Sequence, residues 1–130
     1  MYKRQDYDRA IEIDPEDASS FNFRGLLKLE NLNDPQQAKN DFLTAQKINP
    51  DIGNPYSNRA EEKFRSEKYK EAIDDYSKAI DMNQNDSDAF CQRGLAKEEL
   101  GDLKGACEDW KKAAELGDED AAKLLEEHCE

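Results

Sequence analysis

One triplet of residues recurs along this chain at a fixed period and constrains its fold more than any other feature. In each copy an alanine stands four positions before an aromatic residue, and a second alanine follows that residue by three positions. Successive copies begin 34 residues apart, and they are Ala38, Phe42 and Ala45; Ala72, Tyr76 and Ala79; and Ala106, Trp110 and Ala113. Spacings of three and four place side chains on one face of an α-helix, so the period indicates repeated amphipathic helices.

A second motif precedes each triplet and predicts a second helix in every repeat. An aromatic residue lies four positions before a small residue, and an arginine stands immediately before the small one. The motif reads FNFRG at 21–25, YSNRA at 56–60 and FCQRG at 90–94. Each repeat is therefore expected to be a helical hairpin, in which small residues let two helices approach and aromatic residues fill the gaps beside them.

The hairpin predicts which residues meet. The small residues expected to face each other are Gly25 and Ala38, Ala60 and Ala72, and Gly94 and Ala106. Trp110 is accordingly predicted to pack between neighbouring helices rather than to bind a ligand. The residues expected in the turns also fit helical hairpins. Gly101 is expected to end one helix and Asp102 to cap the next, and Pro35 suits the first turn of a helix that follows Asp34.

Arginine and aspartate residues also repeat in phase. The pairs in register are Arg24 and Asp41, Arg59 and Asp75, and Arg93 and Asp109. Because the two residue types recur with the same period, we hypothesise that they form structural ion pairs within or between hairpins. Absence of coupling between Arg59 and Asp75 in a double-mutant cycle would count against that pairing.

Composition excludes several classes of function. The net charge is −12 and no basic stripe is present to displace counterions from phosphates, so nucleic-acid binding is not expected. No stretch approaches the roughly 18 consecutive apolar residues of a membrane span, so no membrane insertion is expected and the chain reads as soluble, with a lean to the cytoplasm.

Catalytic and metal chemistry are not expected either. The single histidine, His128, lies near the C-terminus, and the sequence has no glycine-rich phosphate motif or nucleophile motif. Two pairs of adjacent carboxylates read as solvated helix surface, namely Asp74 and Asp75, and Glu98 and Glu99. We therefore expect no enzyme activity, no metal and no cofactor.

Three cysteines are present, an odd number without metal-type spacing. They are expected to be free thiols in a reducing compartment, and they are Cys91, Cys107 and Cys129.

A 34-residue helix–turn–helix repeat with these small residues, aromatics and a closing Pro50 resembles the tetratricopeptide repeat family. The resemblance implies an all-α fold, a right-handed α-solenoid of antiparallel helix hairpins that forms one domain over 1–130. Its expected parts are a helix B of a partial repeat at 1–17, complete repeats at 18–52, 53–86 and 87–120, and a capping helix at 121–130. The second and third complete repeats lack the closing proline.

In this family the first helix of each hairpin, helix A, commonly lines a concave groove that receives an extended peptide or a partner helix. The resemblance thus implies a protein–protein interaction module or scaffold. The groove positions carried over are Asn22, Leu26, Leu29, Ser57, Asn58, Glu61, Phe64, Arg65, Asp88, Cys91, Leu95, Glu98 and Glu99. The helix A segments are close to neutral in charge, so the total of −12 does not predict a basic ligand for the groove.

One subclass of the family grips the C-terminal carboxylate of heat-shock chaperones with a clamp of lysine, arginine and asparagine. Asn58 matches the middle asparagine of that clamp. The other clamp positions hold neutral or acidic residues here, namely Asn22, Leu26, Asp88 and Gln92. Because these residues cannot form a cationic clamp around a carboxylate, this mode of binding is not expected.

An alternative stays open, in which the chain is a structural segment of a longer repeat array or a self-associating protomer without an independent ligand. The N-terminal helix would then present an uncovered face that includes Tyr7 and Ile11. At the other end an apolar face is expected to pack inward and to make the last helix a cap, and its residues are Ala121, Ala122, Leu124 and Leu125.

Overall fold

The computed structural model describes the backbone of residues 4–129 and the side chains of residues 7–129, and its regular structure is helical throughout that range. The helices are α1 (Arg4–Ile13), α2 (Ala18–Glu30), α3 (Pro35–Ile48), α4 (Pro55–Arg65), α5 (Tyr69–Met82), α6 (Ser87–Glu99), α7 (Leu103–Glu115) and α8 (Glu119–His128). They fall into two compact units, Met1–Pro55 and Tyr56–Glu130. The organisation into one domain stays a prediction.

In the first unit, α2 and α3 form an antiparallel hairpin closed by a short turn. A Cβ added to Gly25 would lie 2.5 Å from Phe42 Cε1 and 3.1 Å from the carbonyl oxygen of Ala38, so the predicted contact between small residues is confirmed. The turn that follows α2 contains the extra residue of this repeat, and Asn33 adopts a positive φ of 49° there. Asparagine tolerates this left-handed conformation better than most residues, which is why the insertion fits.

The expectation that Tyr7 lies on an uncovered face is wrong. Its side chain is half-buried, and its ring stacks on Phe23 of α2 with the two centroids 5.7 Å apart. Tyr7 stands three residues before Ala10, and the aromatic residues of the three complete repeats, Phe42, Tyr76 and Trp110, stand three residues before an alanine as well. An aromatic residue at this position packs against a neighbouring helix. Ile11 is also half-buried.

In the second unit, α6 and α7 repeat the close approach with a larger aromatic residue. A Cβ on Gly94 would lie 2.6 Å from Trp110 Nε1 and 3.2 Å from the carbonyl oxygen of Ala106. Trp110 is fully enclosed, and its indole N–H donates a hydrogen bond of 3.2 Å to the carbonyl oxygen of Cys91. The prediction of Trp110 as a packing residue is confirmed.

The helix caps follow the sequence signals. Asp34 accepts a hydrogen bond from the backbone N–H of Gln37 with Pro35 in the first turn, and Asp102 accepts one from Gly105. Gly101 has a φ of +86°, a left-handed conformation that glycine adopts without steric cost at a helix end. Asp118 caps α8 by accepting from Ala121, so the last helix begins at Glu119, earlier than the predicted 121.

The phased arginines and aspartates form the ion pairs that the sequence suggested. In each hairpin the arginine donates two hydrogen bonds of 2.7–2.9 Å to one carboxylate, pairing Arg24 with Asp41, Arg59 with Asp75, and Arg93 with Asp109. A lysine one helical turn beyond each arginine approaches the same carboxylate within 3.0–3.2 Å, and these are Lys28, Lys63 and Lys97. Asp75 is therefore buried between the two helices, and its interpretation as solvated surface is wrong, whereas Asp74 is exposed.

The expectation of three free thiols is also wrong. Cys107 on α7 and Cys129 at the end of α8 form a disulfide with their Cα atoms 6.0 Å apart, and the buried Cys91 is the free cysteine of the described chain. The two residues are 22 positions apart in sequence, and the packing of α8 on α7 brings them together. Sequence spacing alone carries no sign of such a contact.

The terminal helix α8 packs inward through fewer residues than expected. Ala121 is fully enclosed, Leu124 and Leu125 are half-buried, and Ala122 is exposed, so its assignment to the inner face is wrong. His128 ends α8 near Trp110, with the two ring centroids 5.9 Å apart. Over the described part of the chain, no helix is both long enough and apolar enough to span a bilayer.

Candidate peptide-binding site

The residues predicted for the groove on α2 are mostly enclosed. Leu26 is 1% exposed, so it supports the hairpin and its assignment to a ligand-contacting surface is wrong. Asn22 is 3% exposed, and its Nδ2 atom has no hydrogen-bond partner among the described residues. Leu29 is half-buried. Of this set, Leu29 therefore has the side chain most accessible to a partner.

The predicted positions on α6 divide by burial. Cys91 is 4% exposed, and burial together with nearby acidic residues raises the pKa of its thiol to about 11. It is an enclosed neutral side chain, so its assignment to the groove wall is wrong. Asp88 and Glu99 are exposed, while Leu95 and Glu98 are half-buried. The Glu98 carboxylate lies 4.0 Å from Nδ1 of His128 and so faces the end of α8.

The predicted residues of α4 come together around a small cavity. Glu61, Phe64 and Arg65 line it with Gln92 of α6, and Tyr76 of α5 closes it from below, around a volume of about 150 Å³. We call this the α4–α6 pocket. Glu61 and Arg65 are exposed, Phe64 and Gln92 are half-buried, and Tyr76 is 1% exposed, so the tyrosine forms the floor. The pocket thus combines two opposite charges, an aromatic wall and an amide.

The orientation of Phe64 is fixed by a neighbour. Its ring meets the edge of Tyr69 at the start of α5, with the centroids 5.2 Å apart and the planes 79° to one another. Edge-to-face contact of this kind is a preferred aromatic geometry. The wall of the pocket is therefore preformed on the turn between α4 and α5.

The sequence did not identify Tyr76 as a site residue because it occupies the aromatic position of the repeat and was assigned to packing. Its hydroxyl is buried and finds no hydrogen-bond partner in the part of the chain that the structure describes. Burial, with a smaller contribution from the Glu61 carboxylate, raises the pKa of Tyr76 to about 12, so the hydroxyl keeps its proton at neutral pH. The signal available in sequence is that a tyrosine stands where the other complete repeats have phenylalanine and tryptophan.

The two remaining predicted residues lie at the start of α4. Ser57 and Asn58 are both half-buried. The Ser57 hydroxyl oxygen is enclosed and has no hydrogen-bond partner within residues 7–129. Neither residue lines the α4–α6 pocket, so they stay predictions for a more extended contact surface.

The side-chain groups of the described residues bear on metal binding, and those that line the pocket bear on its chemistry. Among the described residues, no group of three or more histidine, cysteine, aspartate or glutamate side chains is placed to hold a metal ion. The side chains that line the α4–α6 pocket are a carboxylate, a guanidinium, two aromatic rings and an amide, with no cysteine, serine or histidine among them. What this arrangement can do is recognise a group that enters it.

Comparison with known proteins places the chain in a family. The TPR repeat description matches residues 60–101, and the tetratricopeptide repeat description matches residues 18–52, which together exceed half of the chain. The chain belongs to the tetratricopeptide repeat family.

Curated relatives carry the same similarity. Hsp70-Hsp90 organizing protein 1 of Arabidopsis thaliana is 32% identical over 97 residues, which cover 75% of this chain and 17% of that protein. RNA polymerase II-associated protein 3 of Xenopus tropicalis is 45% identical over 60 residues, which cover 46% of this chain and 9% of that protein. The chain therefore spans less than a fifth of the length of these relatives.

Solved structures agree on the fold. The N-terminal domain of stress-induced protein-1 from C. elegans superposes with a TM-score of 0.56 at 20% identity and covers 86% of this chain and 94% of that one. MamA superposes with a TM-score of 0.55 at 19% identity and covers 88% of this chain and 66% of that one. The predicted fold class, an all-α solenoid of antiparallel helix hairpins, is confirmed. Family membership points to protein–protein interaction by a non-enzymatic module.

Proposed function

We propose that this chain is a protein-interaction module that binds an extended peptide segment of a partner protein across α4 and α6. The observation that carries the proposal is the α4–α6 pocket, lined by two helices that are both helix A of their repeats. A peptide strand laid across them would place one side chain in the pocket. The family resemblance supports this face as the one that receives ligands.

The size of the pocket favours a peptide over a small molecule. Its volume of about 150 Å³ is below the roughly 300–1,000 Å³ that is typical of sites enclosing a whole small ligand. A cavity of this size holds one side chain, and the rest of the occupant must lie outside it. The outer contacts would be made by exposed groups of α6 such as Asp88 and Glu99.

The charge of the pocket argues against the chaperone-tail mode. Glu61 and Arg65, four residues apart on α4, both line it with opposite charges, and α6 offers the neutral Gln92 and the acidic Asp88 where that mode needs cations. A terminal carboxylate would meet too little positive charge to replace its hydration. The proposal therefore takes protein binding from the relatives and does not take their named chaperones as partners.

Selection of peptides tests the proposal. The full chain is immobilised and presented with a phage-displayed library of random 12-residue peptides, and the affinities of recovered peptides are then measured for Phe64→Ser. The matched control is Leu103→Ser, which removes an exposed leucine from α7, away from the pocket. We expect Phe64→Ser to weaken binding by about tenfold or more and Leu103→Ser to leave it unchanged.

Circular dichroism must show that both variants are as helical as the native chain. Peptides that bind a folded Phe64→Ser variant as tightly as the native protein would overturn the proposal. Recovery of no specific peptide from the library would count against it as well.

A second candidate is self-association through α1. Ile13 at the end of that helix is 77% exposed, whereas Tyr7 is covered by Phe23, so the available apolar surface is smaller than the sequence suggested. Sedimentation of the native chain and of Ile13→Glu over a range of concentrations tests it. Dimerisation that the substitution abolishes would establish self-association, and a monomer at all concentrations would remove it.

A further inference from the structure

The three complete repeats place an aromatic residue at the same position but leave its polar atom in different states. Phe42 has no polar side-chain atom, and the indole N–H of Trp110 is used internally by the carbonyl of Cys91. The hydroxyl of Tyr76 is buried, and none of the residues described here pairs with it. Packing alone would be served by phenylalanine, as the first complete repeat shows.

An unpaired buried hydroxyl is unfavourable for the free chain. A buried polar group without a partner loses its hydrogen bonds to water and gains none in return. Tyr76 also lines the α4–α6 pocket, together with an amide and two charged groups. The hydroxyl oxygen itself is enclosed, so a partner's group reaches it only by displacing the side chains that cover it. That group would then supply the missing hydrogen bond, and the cost to the free protein becomes selectivity in the complex.

The opposite charges that line the pocket limit the net charge of the partner's group that can enter it. A cation would be attracted by Glu61 but repelled by Arg65, and an anion would meet the reverse, because both residues line the same small cavity. A charge placed against the enclosed phenol would also lose most of its hydration. A neutral group avoids both costs.

Hydrogen-bonding capacity narrows the class further. The Tyr76 hydroxyl can donate and accept, and the Gln92 amide has two donors and one acceptor oxygen. A group that satisfies both needs a donor and an acceptor side by side, within a cavity of about 150 Å³. A primary carboxamide has this arrangement on a short, flexible stem.

We propose that the α4–α6 pocket selects a carboxamide side chain, asparagine or glutamine, on the partner peptide, with the Tyr76 hydroxyl as the group that recognises it. This inference rests on the proposed function. Tyr76 is then a specificity residue, and the aromatic wall of Phe64 supplies binding that is common to all peptides.

The matched variant is Tyr76→Phe, which removes one oxygen atom and installs the residue that the first complete repeat uses at this position. Peptides recovered on the native chain are resynthesised with each asparagine or glutamine replaced by the corresponding acid or by leucine. We expect the native chain to prefer one carboxamide over both replacements by about tenfold, and Tyr76→Phe to reduce that preference to about twofold or less. Thermal unfolding of Tyr76→Phe is measured alongside, and it should match or exceed that of the native chain.

The outcomes separate the two proposals. Peptides that depend on Phe64 but bind Tyr76→Phe with an unchanged preference would overturn the carboxamide inference and leave the proposed function standing. A preference for acidic or basic side chains in the pocket would do the same. Peptides indifferent to Phe64→Ser, or no specific peptides at all, would overturn both.

Discussion

The second and third complete repeats share one framework and use it differently. Both hairpins are fastened by a buried aspartate that accepts two hydrogen bonds from an arginine, with a lysine beside it. In the third repeat the aromatic residue has its polar atom paired, and a disulfide joins α7 to α8. In the second repeat the aromatic hydroxyl is unpaired beside a cavity. The third repeat is built for stability, and the second retains an unsatisfied polar group at a candidate binding site.

The difference follows from the size of two facing residues. Gly94 offers no side chain, so the indole of Trp110 can lie directly against the α6 backbone. Ala60 is fully enclosed at the corresponding position of α4, and the aromatic residue of that hairpin is Tyr76, which has a smaller ring and is 1% exposed. A glycine with tryptophan and an alanine with tyrosine are thus two ways to fill the same space between helices.

The largest effect is expected from Trp110→Ala. This change removes a fully enclosed side chain whose ring also lies beside that of His128 at the end of α8. Truncation of a buried aromatic residue leaves a cavity and costs about 3–5 kcal/mol of unfolding free energy. Urea denaturation followed by circular dichroism measures it. A loss below about 1 kcal/mol would show that the third repeat does not depend on this packing.

The disulfide gives the next effect, and it acts on the third repeat and α8. Reduction, or Cys129→Ser, opens a loop spanning 22 residues and is expected to lower the unfolding free energy by about 3 kcal/mol in the chain-entropy description. The matched control is Cys129→Ser under a reducing agent, which should show no further loss. Equal stability of the native chain with and without reductant would contradict the prediction and return Cys107 to a free thiol.

The ion pairs should behave alike in both repeats, since their geometry is the same. A double-mutant cycle on Arg59 and Asp75 is expected to give a coupling of about 1–2 kcal/mol, because the carboxylate is buried and the contact is bidentate. The same cycle on Arg93 and Asp109 should agree within about 0.5 kcal/mol. A coupling energy present in one hairpin and absent in the other would show that the two repeats are not held together by equivalent ion pairs.

Contacts that recur in every repeat could be predicted from the sequence, and contacts that occur only once could not. The contact of Gly25 with α3, the burial of Trp110 and the pairing of Arg59 with Asp75 each follow from residues that recur in phase, because a repeated spacing fixes which helix faces meet. The disulfide joins residues that occur once in the pattern. Its formation depends on the docking of α8, which no spacing encodes.

The candidate site shows the same limit at the level of single atoms. The family positions include Glu61, Phe64 and Arg65, which line one pocket, and their role in binding stays a prediction. They also included Leu26 and Cys91, which lie on helix A but turn into the packed interior. Whether a side chain at such a position is open or enclosed depends on its angle around the helix axis and on the neighbours that cover it, and one sequence specifies neither.

A smaller effect is expected when the facing residues are exchanged. Gly94→Ala places a methyl group within 2.6 Å of Trp110 Nε1, so crowding should outweigh the helix propensity gained and cost about 1 kcal/mol net. Adding Trp110→Tyr recreates the alanine and tyrosine pair of the second repeat. The double variant should therefore be more stable than the sum of the two single losses predicts, and strict additivity would show that the two pairs are not equivalent solutions.

The smallest change in unfolding free energy at neutral pH is expected for Tyr76→Phe. The pH dependence of that change tests whether the Tyr76 hydroxyl is buried without a partner. Removing an unpaired buried hydroxyl should not lower the unfolding free energy at pH 7 and should raise it by less than about 1 kcal/mol. In the native chain burial raises the pKa of Tyr76 from 10.0 to about 12, so the unfolded state ionises first as the pH rises. Stability from this group is complete below pH 10 and is lost between pH 10 and 12.

Chemical denaturation at pH 7 and at pH 11 therefore compares the native chain with Tyr76→Phe. Cys91, whose pKa is raised to about 11, contributes to alkaline loss in both proteins and cancels in the difference. The native chain should lose more stability than the variant on going to pH 11. Equal losses would mean that the hydroxyl is hydrated in solution, and a large loss in the variant at pH 7 would mean that it has an internal partner. Either result would remove the contrast between an open second repeat and a closed third one.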